Sequence, residues 1–496
     1  MTTSKTISAL PNGFTATPVI IECSSSQGLS AFTIVGMANK TIDESRERIR
    51  FALKNSGFRF PSEHLVINLA PASLQKTGSY LDLPIAVSIL AHSGQILPPA
   101  KDIAFAGELA LDGKIRPIRG ILNIVESLAK RKVKRLVIPA ENYHQAQLIK
   151  SKIKLVPVRN LRELWQYLVQ DIKPPTPTQN VVNNTNTDTG ILLDHIIGQA
   201  TAKRALVIAV AGHHNLLLSG PPGTGKTMLA STIPSLLPPP TQEEIIAITK
   251  LHSLVSDCQT IQTKRPFRSP HHSASRASLL GGANGLPGEV SLAHKGVLYL
   301  DELPEFNRDF LEALRQPLEQ KTITISRANQ SISYPADFML VGTMNPCPCG
   351  NFGSKDQECS CSPIELHNYQ RKLSGPLLDR IDMHITVPKP NTSVLVNSTT
   401  ISTHQHASAK LQIEAALNKQ FKRQHKPNSN LSSYETLQIC QLNSDAHSYL
   451  EHATEKLKLS ARSYFKTIKV AQTIADLENA AKITHDHISE AIQLRE

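Results

Sequence analysis

Gly220-Pro-Pro-Gly-Thr-Gly-Lys226-Thr227 follows the apolar run Asn215-Leu-Leu-Leu-Ser219 and precedes Met228-Leu-Ala-Ser231. This is a G-x-x-x-x-G-K-T loop between a strand pattern and a helix pattern, the context that gives the spacing its meaning. Gly220, Pro221, Pro222, Gly223, Thr224, Gly225, Lys226 and Thr227 thus form a phosphate cradle. Glycines let backbone N–H groups converge on phosphate oxygens, and the following helix N-terminus adds positive potential. Lys226 is expected to reach the β and γ phosphates, and the Thr227 hydroxyl to ligate Mg²⁺. The loop implies an α/β domain that binds ATP or a close relative.

Two apolar strands downstream end in the groups that hydrolysis needs. Gly296-Val-Leu-Tyr-Leu-Asp301-Glu302 finishes on two carboxylates. Asp301 is expected to hold Mg²⁺ through water and Glu302 to polarise the attacking water, because phosphoryl transfer depends on positioning and charge. Phe338-Met-Leu-Val-Gly-Thr-Met-Asn345 ends in an amide suited to lie between γ-phosphate and water. Leu377-Leu-Asp-Arg380-Ile-Asp382 sets an arginine between two acids. Arg380 reads either as a surface ion-pair residue or as an arginine finger completing a charge clamp, and the finger is the preferred reading.

At 496 residues the chain has room for two to four domains. A formal charge of +12 makes a polyanionic partner plausible. Aromatic residues are only 5%, which disfavours base-stacking platforms and favours backbone contact with any nucleic acid. Residues 1–20 lack the apolar core of a secretory signal, and no stretch approaches the ~20 apolar residues of a membrane span. A cytoplasmic protein with no membrane partner is expected. Its seven cysteines would then be thiols or metal ligands rather than disulfides.

Residues 173–190 are rich in Pro, Asn and Thr without hydrophobic period, and read as a linker. Residues 1–172 before it read as a mixed α/β domain. Strands are expected at Val19–Cys23, Leu65–Leu69 and Arg135–Pro139, helices at Thr41–Ser56 and Ile121–Arg131, and a hairpin around Asp112-Gly113. Residues 191–395 form the nucleotide domain. Residues 396–496 are helical, with one-face periodicity over Ala461–Asn479.

These residues resemble the AAA+ group that includes the magnesium-chelatase ATPase subunit and the MCM helicases, and most closely the ComM/YifB family. The matching pieces are Ile197-Gly-Gln199, Gly220–Thr227, Pro266-Phe-Arg-Ser-Pro-His-His272, Gly288–His294, Gly296–Phe306, Asn345-Pro-Cys-Pro-Cys349, Ser374–Asp382 and Ala475–Glu478. The resemblance implies a hexameric ATP-driven DNA motor, a helicase promoting branch migration when imported DNA integrates by recombination. It makes Asn345 sensor 1, Arg380 a finger acting between subunits, and Arg462 the sensor 2 arginine of a C-terminal helical lid. It implies two insertions: a helix-2 insert, whose hairpin is expected to be capped by Gly281–Gly288, and a pre-sensor 1 β-hairpin over Thr322–Tyr334. Arg327 near that tip is the first choice for a DNA phosphate contact, against the alternative of an arginine keeping an exposed edge soluble. His271-His272 reads as an ordinary surface or structural pair, with metal or DNA contact as the alternative. The competing functions are a metal-insertion ATPase of the chelatase type and a protein-remodelling machine.

The N-terminal domain resembles the ribosomal-S5-like fold of Lon protease, most clearly over Gly107–Gly120. Lon chemistry needs a serine and an activating lysine. Here the serine position holds Tyr80, with Ser79 one residue early, and the lysine position holds Leu122. A non-proteolytic module is expected. Finally, Cys347, Cys349, Cys359 and Cys361 crowd a short polar loop just after Asn345. Four thiolates suit a tetrahedral zinc site, with reduced thiols and redox sensing as alternatives. Cys23, Cys258 and Cys440 are expected to be packing residues.

Overall fold

Nine strands build the described N-terminal part of the chain. They are β1 (Ser4–Asn12), β2 (Thr15–Ser26), β3 (Ala31–Val35), β4 (His64–Ala70), β5 (Ile103–Phe105), β6 (Glu108–Leu109), β7 (Ile115–Arg116), β8 (Arg135–Pro139) and β9 (Lys154–Val158). The computed structural model describes residues 3–36, 40–72, 76, 79–178, 190–256, 260–282, 285–326, 331–353, 357–389 and 404–495. Seven of the nine strands form one mixed sheet in the order β3-β4-β2-β1-β5-β8-β9. The pairs β1–β2 and β2–β4 are antiparallel, whereas β1–β5, β5–β8 and β8–β9 are parallel. Helices Lys40–Asn55, Asp82–His92 and Leu161–Gln170 cover one face, burying Leu53, Leu83 and Leu164 against Ile21 and Ile67. Helix Ile121–Ala129 covers the other face. The short β6–β7 hairpin turns at Asp112-Gly113, where the Asp112 side chain accepts from Lys114 N–H.

Among the described residues, the nucleotide domain is built on a parallel sheet of five strands. In chain order these are β10 (Leu216–Ser219), β11 (Phe267–Arg268), β12 (Val297–Leu300), then β15 (Met339–Met344) and β16 (Met383–Thr386), and their spatial order is β11-β12-β15-β10-β16. A separate antiparallel hairpin, β13 (Thr322–Ser326) with β14 (Ser331–Pro335), precedes β15. Each core strand is buried on both faces, which is why the segments read as continuous apolar runs rather than alternations. All five strands point the same way, so their C-terminal ends share one edge. That edge is where open parallel sheets bind ligands.

Helices Gln405–Gln424, Ser433–Ile439, Ser444–Leu457, Ala461–Leu477 and His485–Gln493 complete the chain. Ile413, Ile468, Ala471 and Ile474 from them share a core with Ala205 and Leu206 of helix Ala200–Gly212 and with Leu216 of β10. No described helix is long and apolar enough to cross a membrane.

The N-terminal sheet is seated on the nucleotide domain through the β1–β2 turn and helix Ile121–Ala129. Gly120 N–H donates to Ser253 O at 3.1 Å. Lys250 pairs with Glu126 at 2.6 Å and lies 4.0 Å above the Phe14 ring. Gly13, at φ 63°, approaches β14 so closely that a Cβ there would collide with Ile332 Cγ2. Only glycine tolerates both the backbone angle and the contact.

Candidate nucleotide site

The P-loop leaves β10 and enters helix Lys226–Ser231. Its first amide, Gly220 N–H, donates to Met344 O at 3.2 Å, tying the loop to the end of β15. Thr224 Oγ1 donates to Pro221 O at 3.0 Å and braces the turn from within. The Lys226 ammonium donates to Gly220 O at 2.6 Å, Pro221 O at 2.9 Å and Asn345 Oδ1 at 3.1 Å. Half-burial lowers its pKa, while the charges of Asp301 and Glu302 act the other way. A lysine held on the P-loop carbonyls and feeling the charges of two acids fits a polyphosphate with its metal.

Asp301 and Glu302 stand where β12 ends, one strand from the P-loop across β15. A single hydroxyl organises both. Thr343 Oγ1 donates to Asp301 Oδ1 and accepts from Glu302 N–H at 3.0 Å. Tyr299 donates a second bond to Asp301 Oδ1, at 2.8 Å. Glu302 itself sits in the left-handed region at φ 52°, so the chain turns sharply between the two acids. Thr343 and Tyr299 were not anticipated from the sequence. Their signal is period 2: each lies two residues before a predicted site residue, Asn345 or Asp301, and a strand places i and i+2 on one face.

Arg380 and Arg462 meet elsewhere. Arg380 Nη2 pairs with Glu319 Oε1 at 2.7 Å, Nη1 donates to Pro376 O at 2.5 Å, and Nε has no partner among the described residues. Arg462 donates to that same Glu319 oxygen. Neither arginine makes a hydrogen bond or ion pair with the P-loop among the described residues. The two acids flanking Arg380 in sequence do not bind it. Asp382 is buried, pairing with Lys466 of helix Ala461–Leu477 at 2.8 Å and accepting from Asn215 N–H at 2.7 Å. Burial, the largest single influence, acts to raise its pKa, but the Lys466 charge, His214 and the hydrogen bonds from Lys466 and Asn215 together hold it down to about 2.

The four cysteines converge. Cys347 Sγ lies 3.3 Å from Cys349 Sγ and 3.7 Å from Cys359 Sγ, with 3.6 Å between Cys349 and Cys359. All four sulfurs lie within 4.8 Å of one another. A disulfide needs about 2.05 Å, whereas four sulfurs at 2.3 Å from a tetrahedral centre stand about 3.8 Å apart. The cluster has the size of a metal site. Phe352 N–H and Cys349 N–H donate to Cys347 Sγ and Cys361 Sγ, the bonds that thiolate ligands accept. The loop also touches the P-loop: Gly350, at φ 83°, packs where a Cβ would meet Pro222 Cδ. Cys23 and Cys440 are buried, and burial pushes both thiols up to about 12. Cys258 lies outside the described residues.

One expectation is corrected. Among the described residues, the glycine-rich Gly281–Gly288 stretch is not flanked by paired strands as a hairpin cap would be. It lies between two short helices, Arg276–Leu280 and Glu289–Leu292, with an antiparallel bridge between Gly281 and Pro287. The flanks carry helix-start signals rather than strand alternation: Ser275 caps Ser278 N–H. The loop leans on the β13–β14 hairpin, where Tyr334 donates to Gly285 O. That hairpin lies where it was expected, with Ser326 opposite Ser331. Arg327, at its tip, lies outside the described residues. The rings of exposed His271 and half-buried His272 lie 4.1 Å apart at a tilt of 34°, with His272 edge-on to Phe306. In the N-terminal domain, Leu122 is fully buried and Ser79 donates to Glu108.

Residues 192–395 match the family described as magnesium chelatase, subunit ChlI; residues 21–142 match subunit ChlI of Mg-chelatase, and residues 403–495 its C-terminal domain. The competence protein ComM of Haemophilus influenzae is 43% identical over 496 residues, covering 97% of this chain and 95% of that one. The chain belongs to the ComM/YifB family of magnesium-chelatase-like AAA+ ATPases. YifB of Escherichia coli, described as uncharacterised, is 41% identical over 490 residues, with 97% and 95% of the two chains covered. A 67 kDa magnesium-chelatase subunit of Heliobacterium mobile is 28% identical over 223 residues, 38% of this chain and 30% of its own. The family accounts for the architecture: an N-terminal ChlI domain, a central parallel-sheet ATPase domain and a C-terminal helical domain.

Proposed function

We propose that this ATPase is the subunit of a homohexameric ring that moves on DNA, a cytoplasmic helicase promoting branch migration during homologous recombination of imported DNA. The observation that carries the reading is Thr343 holding both acids beside a P-loop whose lysine already touches Asn345, in a chain akin from end to end to a competence protein. In this reading Gly220–Thr227 hold the nucleotide phosphates, and Thr227 and Asp301 serve its Mg²⁺. Glu302 orients the water that attacks the γ-phosphorus, and Asn345 senses that phosphate. Arg380 reaches the neighbouring subunit's nucleotide, Arg462 closes the lid, and Arg327 contacts DNA. The domains run 1–172 (Lon/S5-like, non-proteolytic), 173–190 (linker), 191–395 (ATPase) and 396–496 (lid). Zinc is the metal assigned to the four cysteines, and its role there is structural.

The match to chelatase subunits supports a second reading, an ATPase that drives metal insertion. One measurement separates the two. The DNA motor hydrolyses ATP faster with single-stranded, duplex or branched DNA and resolves a three-strand or four-way junction. An ATPase indifferent to all three, with junctions left intact, removes the DNA reading.

A further inference from the structure

Charge is unevenly shared along this chain. Residues 1–172 hold 22 Lys and Arg against 13 Asp and Glu, nine of the twelve net positive charges. Two runs concentrate it: Lys130-Arg-Lys-Val-Lys-Arg135 before β8, and Lys150-Ser-Lys-Ile-Lys154 before β9. They are 15 or more residues apart in sequence, yet the sheet brings them together. Strands β5, β8 and β9 are parallel neighbours, so the loops that feed them emerge on one edge. Backbone bonds fix the register: Lys134 N–H donates to Asp102 O at 2.8 Å and Lys154 N–H to Lys134 O at 2.8 Å. At about 4.8 Å between strands, the three loops make a continuous rim about 10 Å wide.

Acids do not neutralise this rim. Asp102 is shared by Lys134 at 3.9 Å and Arg135 at 3.4 Å, and Glu126 stands 3.8 Å from Lys130. Lys101, Arg131, Lys132, Lys150, Lys152 and Lys154 are exposed, and no carboxylate pairs with them among the described residues. Two grooves flank the rim. One, of about 460 Å³, is walled by Lys101, Arg131 and Lys132; the other, of about 450 Å³, by Lys150, Lys154 and Lys173. The second groove's tyrosines, Tyr143 and Tyr167, are half-buried and buried, so no exposed ring offers a base a stacking surface. Such a surface suits evenly spaced phosphates read without regard to sequence.

We propose that this rim is a second DNA contact, a track for the sugar–phosphate backbone lying on the N-terminal domain, separate from the β13–β14 hairpin. It rests on the DNA-motor reading and adds to it where the strand runs outside the ATPase domain. Multipoint contact of this kind would hold DNA while the hairpin lets go.

The test uses the full-length protein. Fluorescence anisotropy with a labelled oligonucleotide over a salt series is measured for wild type and for the variant Arg131→Gln/Lys132→Gln/Lys150→Gln/Lys152→Gln. A lid variant, Lys456→Gln/Lys458→Gln, combined with Lys5→Gln/Lys54→Gln, controls for net charge. The rim variant is expected to bind roughly tenfold or more weaker near physiological salt, with the slope of log K against log salt shallower by about 0.7 for each phosphate that the rim no longer neutralises. The control keeps the wild-type slope, and ATPase without DNA is unchanged in all. Equal binding by wild type and rim variant, or equal weakening in rim and control variants, overturns the rim while leaving the motor. Wild type that binds no DNA at any salt overturns the motor and the rim together. If the fourfold variant melts early, the pair Lys150→Gln/Lys152→Gln is read by the same slope.

Discussion

The Lys226 ammonium and the Asn345 side-chain oxygen lie 3.1 Å apart, joining the P-loop to the end of the neighbouring strand β15. In the proposed function, sensor and phosphate lysine are thus already in register. Lys226→Ala should therefore abolish nucleotide binding, since it removes the charge that faces the phosphates. Glu302→Gln should bind nucleotide normally and not turn over, and Thr343→Val should keep binding while lowering kcat. Equilibrium binding of a fluorescent ATP analogue, alongside steady-state hydrolysis, separates the three. Hydrolysis retained by Glu302→Gln would refute the assignment of the water-orienting acid.

Arg380 is expected to work in trans. Its loss should cost on the order of 10³-fold in hydrolysis. Mixing Arg380→Ala with Lys226→Ala subunits should restore part of the activity, because a mixed ring contains interfaces with an intact pocket and an intact finger. Mixed rings, verified by tagged co-purification, that remain as inactive as their parents would place Arg380 in a structural role beside Glu319.

The cysteine cluster should bring about one zinc per chain through purification without added metal, with Zn–S distances near 2.3 Å by X-ray absorption. The Gly350–Pro222 contact makes a further demand: removing the metal should weaken nucleotide binding as well as lower Tm. Four freely titrating thiols in the folded protein, with no bound zinc, would discard the site.

Asp382 ties the helical domain to the base of the sheet, and its contribution has a definite pH dependence. Its folded pKa, about 2, lies below the roughly 3.9 of an unfolded aspartate. The stabilisation is therefore fully present above pH 4 and is lost as pH falls toward 2, amounting to about 2–3 kcal/mol. Asp382→Asn leaves Lys466 charged and buried, a loss of about 3–5 kcal/mol near neutrality. Denaturant titrations should show the gap between wild type and variant narrowing from pH 5 to pH 3. A constant gap would mean that Asp382 is not the titrating group.

Where the sequence is locally decisive, structure and expectation coincide. Strand β8 covers Arg135–Pro139 as its β-branched run predicts, and the helix from Ala461 ends at Leu477, two residues short of the expected end, where Asn479 takes a left-handed φ of 62°. The P-loop, the two acids and the four cysteines are adjacent in sequence, so spacing alone exposes them. The partners of these groups are remote: Thr343 lies 42 residues from Asp301, and Lys466 lies 84 from Asp382. Period 2 puts Thr343 on the face of Asn345, but local periodicity says nothing of which remote residue it meets, and nothing of Lys466 meeting Asp382. Gly281–Gly288 misled for another reason, since turn residues mark a chain reversal without saying whether strands or helices flank it.

The Gly13–Phe14 turn makes the two ends of the machine mechanically inseparable. Closely packed atoms at van der Waals contact do not compress, so any tilt of β14 pushes on Ile332, and Ile332 pushes on the loop joining β1 to β2. Strand β1 is the neighbour of β5, from which β8 and β9 follow in the same sheet. The turn is placed as a fulcrum would be: a shift of β14 would pass through it into the sheet whose far strands carry the lysines.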